Sequence, residues 1–278
     1  MLKLIFEIIG FIALGCVIGG CGTLVGAGGG FLLTPVMLLL FPNMPAETVT
    51  AISMTTIFFN SSSGSVAYAR MRRIDYKTGL IFAAVTLPGV IMGTWLTYVT
   101  PRSVFNMIFG GFMIVFAVVI FMKSRLGDHS APYDKPGAFR ARRIITDKAG
   151  HQTAYSFNIL IGVLVSFVVG FLSGFLGIGG GIVHVPVLVF LGFPAHFATA
   201  TSHFVLVFSS FTSWCMHLIN GSLKNEYFMA FSIAVGAVAG AQIGAFVSKK
   251  IKGSVIMICL AAALVIAGIR ILISGLLK

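Results

Sequence analysis

Two glycine-rich stretches carry the residues whose types and spacing suggest chemistry most directly. GAGGGFLLTP occupies residues 26–35, and GIGGGIVHVP occupies residues 177–186. Consecutive glycines let neighbouring backbone N–H groups converge on one point, and a helix that starts there adds roughly half a positive charge. Such donors favour the binding of an anion. We therefore predict an anion site formed by Gly26, Gly28, Gly29, Gly30, Gly177, Gly179, Gly180 and Gly181.

Hydroxyl, amide and imidazole side chains lie in or after each stretch, in segments that are otherwise apolar. We predict that Ser53, Asn60 and Ser202 line the substrate path, while most other hydroxyls bond back to their own helices. His184 and His203 are predicted to contact the substrate or a transported proton, because an ionisable group inside a membrane is a functional candidate by default. The spacing of the histidines offers no nearby cysteine or carboxylate pair, so neither a metal nor another cofactor is predicted.

The composition places these motifs in lipid. Of 278 residues, 58% are hydrophobic and 9% are charged, which is outside the range of soluble domains. Several apolar runs reach the roughly 18 to 25 residues that span a bilayer as a helix, and the alternation of a porin strand is absent. The basic residues that give a net charge of +12 fall between apolar runs, so no nucleic-acid partner is predicted. The chain is predicted to be an all-α, polytopic helical membrane protein in contact with the lipid bilayer.

The two glycine stretches belong to an internal duplication. Aligned on their glycines, the two copies also match Pro35 with Pro186, and Ser53 with Ser202 after a small loop difference. Each copy predicts four long helices and one short half-helix that follows the glycine break. The predicted helices lie near 3–25, 29–41, 46–69, 77–99 and 102–122, then near 155–176, 180–193, 196–219, 226–248 and 252–274. The predicted domains are a first membrane repeat at 1–122, a basic linker at 123–154 and a second membrane repeat at 155–278.

Basic residues indicate how the two repeats are related. The loop near residues 70–77 holds Arg70, Arg72, Arg73 and Lys77, whereas its counterpart at 220–225 holds only Lys224. The bias reverses in the next loop. There the first half holds only Arg102, whereas the second half holds lysines at 249, 250 and 252. Because positive loops face the cytoplasm, the repeats are predicted to be inverted, with the linker inside and both chain ends outside.

A helix break inside hydrocarbon must border something polar, since unpaired backbone groups cost several kcal/mol each in lipid. The short segments after the glycines are too short to cross a core of roughly 30 Å comfortably. They are predicted to begin at depth, whether they cross fully or turn back as re-entrant hairpins. Inversion would then bring their two glycine-led N-termini together near the midplane. The wider spacing of Gly89 and Gly93, and of Gly236, Gly240 and Gly244, predicts close helix packing instead.

This pattern resembles the TauE/SafE family of membrane transporters, whose members include sulfite and organosulfonate exporters. The resemblance covers nearly the whole chain and rests on GAGGGFLLTP and GIGGGIVHVP, each after a long apolar helix. It rests also on a turn containing Pro-Ala and on the hydroxyl-rich helix with Ser53 or Ser202. It implies a permease for small sulfur-containing anions in the cytoplasmic membrane. The long basic linker and the asymmetric histidines depart from the family pattern.

Three functions stay open at this point. The first is a secondary transporter that moves a small anion by alternating access, with proton coupling and a homo-oligomer as further possibilities. The second is an anion channel or a structural membrane subunit. The third is an intramembrane hydrolase that uses Ser61, Ser62, Ser63 or Ser65 with a histidine, but no GxSxG elbow or buried carboxylate dyad supports it. We predict the transporter and no enzyme activity.

Overall fold

The chain forms a helical bundle with one small hairpin, seen in a computed structural model. The structure describes residues 2–126, 139–146, 148, 150, 152–247 and 253–276, with side chains at 5–119, 139–146, 148, 150, 152–247 and 264–276. Within these residues there are ten helices and two strands: α1 (Leu2–Val25), α2 (Gly30–Leu40), α3 (Ala46–Arg70), α4 (Tyr76–Val99), α5 (Arg102–Leu126), β1 (Arg140–Thr146), β2 (Gln152–Asn158), α6 (Ile159–Leu176), α7 (Gly181–Leu191), α8 (Ala195–Ile219), α9 (Tyr227–Val247) and α10 (Gly253–Leu276).

The prediction of an all-α polytopic fold is confirmed. Six of the described helices are long and apolar enough to cross a membrane, namely α1, α4, α5, α6, α8 and α9. The short helices α2 and α7 have 11 residues each and follow the two glycine breaks, as predicted. Arg102 begins α5, whereas the lysines predicted to mark the turn before α10 lie outside the described residues.

The linker contains a hairpin that the sequence pattern did not predict. β1 pairs antiparallel with β2, with Arg140 opposite Asn158 and Thr146 opposite Gln152. The helix predicted to begin at residue 155 begins at Ile159 instead, because Tyr155 and Phe157 belong to β2. Asn158 then caps α6 by accepting hydrogen bonds from the backbone amides of its first turn. Residues 127–138 of the predicted linker lie outside the described residues.

The closest helix pairs join the two halves of the chain. α1 packs against α9, and α4 packs against α6, with glycines at both contacts. A Cβ atom placed on Gly240 would lie 2.8 Å from the amide nitrogen of Gly20, and one on Gly89 would lie 2.8 Å from that of Phe171. Any larger residue would collide with the backbone of the neighbouring helix. The predicted packing role of these glycines is therefore confirmed.

The remaining helix pairs also join one half of the chain to the other. α5 packs against α10 and α3 against α8, so each meets the helix at the matching position of the other half. α3 also contacts α9, and α8 contacts α4. Replacing every helix by its counterpart leaves this set of contacts unchanged, which places α3 and α8 at the centre of the bundle.

The hairpin lies at one end of the bundle and marks the direction of the central helices. α3 ends at Arg70 beside the hairpin, where the amide of Lys148 donates to the carbonyl oxygen of Met71 at 3.1 Å. α8 begins at that same end, where Phe197 contacts Tyr155. The two helices therefore run in opposite directions. An inverted orientation of the halves across the lipid stays a prediction.

Candidate functional site

The two glycine breaks meet in the middle of the protein. A Cβ atom placed on Gly30 would lie 3.0 Å from the carbonyl oxygen of Gly177. The matching Cβ atom on Gly181 would lie 2.6 Å from the carbonyl oxygen of Gly26. The start of each short helix thus touches the break of the other half. We call this meeting point the glycine junction, formed by residues 26–30 and 177–181.

The backbone at the junction explains why these positions are glycines. Gly26, Gly28 and Gly29 have φ of 82°, 71° and 84°, and the matching three in the second half have φ of 67°, 78° and 69°. This left-handed region costs an ordinary L-residue roughly 1–2 kcal/mol, whereas glycine enters it freely. The two breaks therefore share one conformation, and that conformation aims successive amides in changing directions.

Amides at the junction are left without backbone partners. The N–H groups of Gly28, Gly29, Gly179 and Gly180 donate to no backbone carbonyl in the described part of the chain. Gly29 and Gly180 occupy the N-cap positions of α2 and α7, where no side chain caps the helix. Buried N–H groups are almost always paired, so four unpartnered donors at the junction are available to bind an acceptor.

Two apolar side chains pack against glycines of both breaks. Ile57 lies near the middle of α3 and Leu206 near the middle of α8, at matching positions of the two halves. A Cβ atom on Gly28 would lie 3.0 Å from Ile57 Cγ2 and 3.2 Å from Leu206 Cδ1, and one on Gly179 would lie 3.0 Å from Ile57 Cδ1. The junction is closed in this conformation. Ile57 and Leu206 leave no open space beside Gly28, and Ile57 leaves none beside Gly179.

The predicted serines differ in their surroundings. Ser53 Oγ lies 2.9 Å from Thr34 Oγ1, and Thr34 donates its hydroxyl proton to the carbonyl oxygen of Gly177 at 2.8 Å. Ser202 is buried, but its hydroxyl has no partner among the described residues. Valine stands at the position that matches Thr34, since Val185 follows Gly181 as Thr34 follows Gly30. The polar link at the second break therefore has no counterpart at the first.

Asn60 and His203 form a second polar cluster near the first break. Asn60 accepts from Thr23 at 3.4 Å, while its amide nitrogen has no partner among the described residues. The His203 ring lies beside Gly64 and 5.4 Å from the ring of Tyr68, measured between ring centroids. The ring also approaches the backbone of Gly26, yet both its nitrogens fall outside hydrogen-bond geometry with any described residue. These unpaired atoms keep Asn60 and His203 as candidates.

The contacts of His184 do not reach the opposite break. Its Nε2 lies 3.2 Å from the hydroxyl of Ser166 on α6, and its ring packs against Phe82 of α4. These contacts connect α7 to neighbouring helices, and none of them joins His184 to the opposite break. A substrate contact for His184 stays a prediction.

A large polar cavity that the sequence did not reveal opens at the end of the bundle opposite the hairpin. It has a volume of about 740 Å³ and lies between the α2–α3 turn, the end of α4 and the α8–α9 turn. Its polar lining includes Glu47, Tyr98, Asn220, Ser222, Lys224 and Glu226. We call this cavity the vestibule. It opens at the end of the bundle where α3 begins and α8 ends.

A hydrogen-bonded chain leads inward from the vestibule. Tyr98 Oη lies 2.7 Å from Ser222 Oγ and 2.7 Å from His217 Nδ1, and His217 Nε2 lies 3.4 Å from Thr50 Oγ1. Thr50 in turn packs on the second break, because a Cβ atom on Gly177 would lie 2.8 Å from its Cγ2. The sequence signal was a buried histidine near the end of an apolar segment. Tyr98 gave no signal, because its partners come from distant segments.

The hairpin closes the other end of the bundle. Asp75 is 5% exposed and lies 3.3 Å from Arg143 of β1, while Tyr155 of β2 donates to its carboxylate at 2.9 Å. Burial and the Asp75 carboxylate raise the pKa of Tyr155 above its usual value, so the phenol stays a donor. Asp75 also accepts from the amide and hydroxyl of Thr78. We call this group the hairpin latch.

Aromatic rings complete the closure beneath the latch. Tyr155 and Phe157 both pack on Phe193, with ring centroids 4.7 Å and 4.5 Å apart. Phe82 of α4 joins the same buried cluster. The side of the bundle that carries the hairpin is therefore sealed by packed side chains.

Comparisons with known proteins agree with this architecture. The family described as Sulfite exporter TauE/SafE matches residues 11–271. The chain is 31% identical to the probable membrane transporter protein YunE of Bacillus subtilis, over 95% of this chain and 97% of the relative. It is 26% identical to a probable membrane transporter protein of Methanocaldococcus jannaschii, over 98% of this chain and 100% of the relative. No solved structure gives a significant match.

Proposed function

This chain belongs to the sulfite exporter TauE/SafE family, and on that premise we propose that it moves small oxyanions, sulfite or organosulfonates first among them, by alternating access. Membership of the family and the similarity to membrane transporters make it a multi-pass membrane transporter. The substrate and the mechanism are the proposed part.

One observation carries the choice of an anion. The amides of Gly28, Gly29, Gly179 and Gly180 lack backbone partners and lie together at the glycine junction. Helices α2 and α7 both begin there, so two helix dipoles direct partial positive charge toward the same place. Backbone donors hold an anion without a fixed full charge, which favours release as well as binding. A sulfite or sulfonate group offers three acceptor oxygens to such donors.

The closed junction and the asymmetric ends support alternating access. In this conformation the vestibule opens at one end of the bundle, while the hairpin latch and its aromatic cluster close the other. Ile57 and Leu206 pack against junction glycines and would have to move before a solute could bind beside them. A transporter needs such a state, in which the site faces one side and the opposite side is shut.

The direction of the protein in the membrane follows from its charges. The loop with Arg70, Arg72 and Arg73 and the hairpin with Arg142 and Arg143 lie at the same end of the bundle. Positive segments face the cytoplasm, so the hairpin end is the proposed cytoplasmic end of a protein in the cytoplasmic membrane. The vestibule then opens to the outside, and the two halves have inverted orientations.

Transport by the purified protein in liposomes tests this function. We expect labelled sulfite and a labelled alkanesulfonate to exchange across the membrane, with a rate that saturates as the anion concentration rises. The variant Gly179→Leu should insert and purify but lose exchange, because a side chain there collides with Ile57 and strains a left-handed position. Gly111→Leu is the matched control, because a Cβ atom on Gly111 meets nothing within 4 Å.

Three results would count against the proposal. The wild-type protein could fail to move any member of a broad panel of small oxyanions. Alternatively, Gly179→Leu could exchange anions as fast as Gly111→Leu, which would separate the glycine junction from transport. A flux that rises linearly with concentration would indicate a channel instead.

A further inference from the structure

The chain of hydrogen bonds from Ser222 to Thr50 has one consistent direction. Thr50 Oγ1 donates to the carbonyl oxygen of Glu47 at 3.0 Å, so it can accept from His217 Nε2–H. With Nε2 protonated, His217 Nδ1 is an acceptor, and the hydroxyl of Tyr98 donates to it. Tyr98 Oη then accepts from Ser222. The hydrogen bonds therefore all run in one direction, from the vestibule to the second glycine break.

The two ends of this chain lie in different surroundings. Tyr98 and Ser222 line the vestibule, where water reaches them, whereas His217 is fully buried. Thr50 lies at the inner end, packed on Gly177. Gly177 is in turn the acceptor for Thr34, which also bonds Ser53. His217 is therefore the buried ionisable group of this hydrogen-bonded series, between Tyr98 at the vestibule and Thr50 at the glycine junction.

Charged and titratable groups around His217 come from several elements. Tyr98 of α4 contacts the ring directly, and Glu47 of α3 bonds Thr50 through its backbone and lines the vestibule through its side chain. The α8–α9 turn adds Lys224 and Glu226 at the vestibule. On the other elements packed against α8, α7 carries His184, which faces Ser166 of α6. Arg102 at the start of α5 lies within electrostatic range of Glu47.

We propose that Ser222, Tyr98 and His217 form a proton relay that couples proton entry from the vestibule to anion movement at the glycine junction. Hydronium in the vestibule gives a proton to Ser222 and becomes water; Ser222 passes its own proton to Tyr98, and Tyr98 passes its own to His217 Nδ1. Every hydroxyl ends with as many protons as it began with, and the imidazole gains one positive charge. That charge attracts an anion toward the adjacent Gly177, and its loss releases the anion. This relay rests on the proposed transport function.

An alkanesulfonate is the right probe because it is the anion of a strong acid. It stays ionised across the neutral range, so a pH gradient cannot move it as a neutral acid. Liposomes hold equal labelled alkanesulfonate on both sides, and a pH difference of one unit is imposed in either direction. We expect the wild type to accumulate the anion, up to about tenfold for one proton per anion. In parallel, exchange of label is measured without a pH gradient.

Variants of the relay separate proton coupling from transport itself. Tyr98→Phe removes only the hydroxyl that joins Ser222 to His217, and His217→Gln removes the ionisable group. Both should lose accumulation under the pH gradient. Label exchange should slow without disappearing, because the glycine amides proposed to bind the anion are unchanged. Tyr227→Phe, a partly exposed tyrosine at the start of α9, is the matched control and should accumulate like the wild type.

The outcomes are distinct. Full accumulation by both Tyr98→Phe and His217→Gln would overturn the relay while leaving transport intact. Exchange without accumulation by the wild type would do the same. No flux of any oxyanion by the wild type would remove the proposed function and the relay with it. A variant that fails to fold shows no exchange, and the other relay variant then decides.

Discussion

Thr34 donates a hydrogen bond from its hydroxyl to the carbonyl oxygen of Gly177, 2.8 Å away, and so ties the first short helix to the break in the second half. The matching position in the second half holds Val185, which cannot make this bond. The junction is thus held by a polar link on one side only. Because the same hydroxyl contacts Ser53, the link also fixes α2 against α3.

Thr34→Val should weaken this link by giving the first half the residue of the second. The change leaves the buried Gly177 carbonyl without its donor, at a cost of about 1–3 kcal/mol. We expect a lower midpoint of thermal unfolding in detergent, with Thr212→Val as control because Thr212 is partly exposed and its hydroxyl bonds its own helix. Equal midpoints for the two variants would show that the Thr34 bond contributes nothing to stability.

Ile57→Ala should speed anion exchange while it destabilises the protein. The isoleucine is fully buried over the glycine amides, and truncating such a side chain costs about 2–5 kcal/mol. Removing the cover also removes a side chain that must move before a solute reaches the amides. Initial exchange rates in liposomes measure this effect. Ile271→Ala, buried on α10, should lose similar stability without faster exchange, and a slower Ile57→Ala would argue against a covering role.

Asp75→Asn should loosen the hairpin latch. The variant keeps an acceptor for Thr78 but loses the charge that faces Arg143 and Tyr155. Hydrogen bonds to a charged group contribute about 1.5–3 kcal/mol, so the hairpin should become more open to limited proteolysis. Tyr155→Phe in the same background should add little, since the two changes remove one interaction. Additive effects of the two substitutions would exclude this coupling. Tyr76→Phe, which keeps its ring contact with Phe204, serves as control.

Alkaline pH should weaken the same latch through Tyr155. Burial and the nearby Asp75 raise the folded-state pKa of this phenol above its unfolded value of about 10. A raised pKa means that its stabilising contribution is complete below about pH 10 and declines as the pH rises further. The midpoint of unfolding should therefore fall more steeply above pH 10 in the wild type than in Tyr155→Phe. Parallel curves would contradict the raised pKa.

The helices and the glycine breaks could be predicted from sequence because both depend on local patterns. Long apolar runs, the duplicated glycines and the basic loops fixed the number of helices and their order, and the packing glycines at 89, 93, 236, 240 and 244 followed from their spacing. The proximity of Gly30 to Gly177 agrees with the expected meeting of the breaks. The contribution of each predicted site residue to binding stays a prediction.

The remaining features depend on contacts between distant segments. Nothing local in Ile57 or Leu206 distinguishes them from other apolar residues, and only the fold places them over Gly28 and Gly179. The bond between Tyr98 and His217 joins α4 to α8, so neither residue could reveal the other. The hairpin was missed because β1 lies in a polar linker, where turn-forming residues obscured the strand pattern, and because most of β2 was assigned to the apolar helix that follows.

The pairing of α1 with α9 and of α4 with α6 has a consequence for biosynthesis. A ribosome delivers α1 first, yet the helix that covers its glycine face is among the last to emerge. Neither half can complete its own interfaces, so the early helices must wait in the bilayer with their close-packing surfaces uncovered. Final assembly can begin only after nearly the whole chain has been inserted. The two halves, synthesised as separate polypeptides, would each remain unfinished until they met.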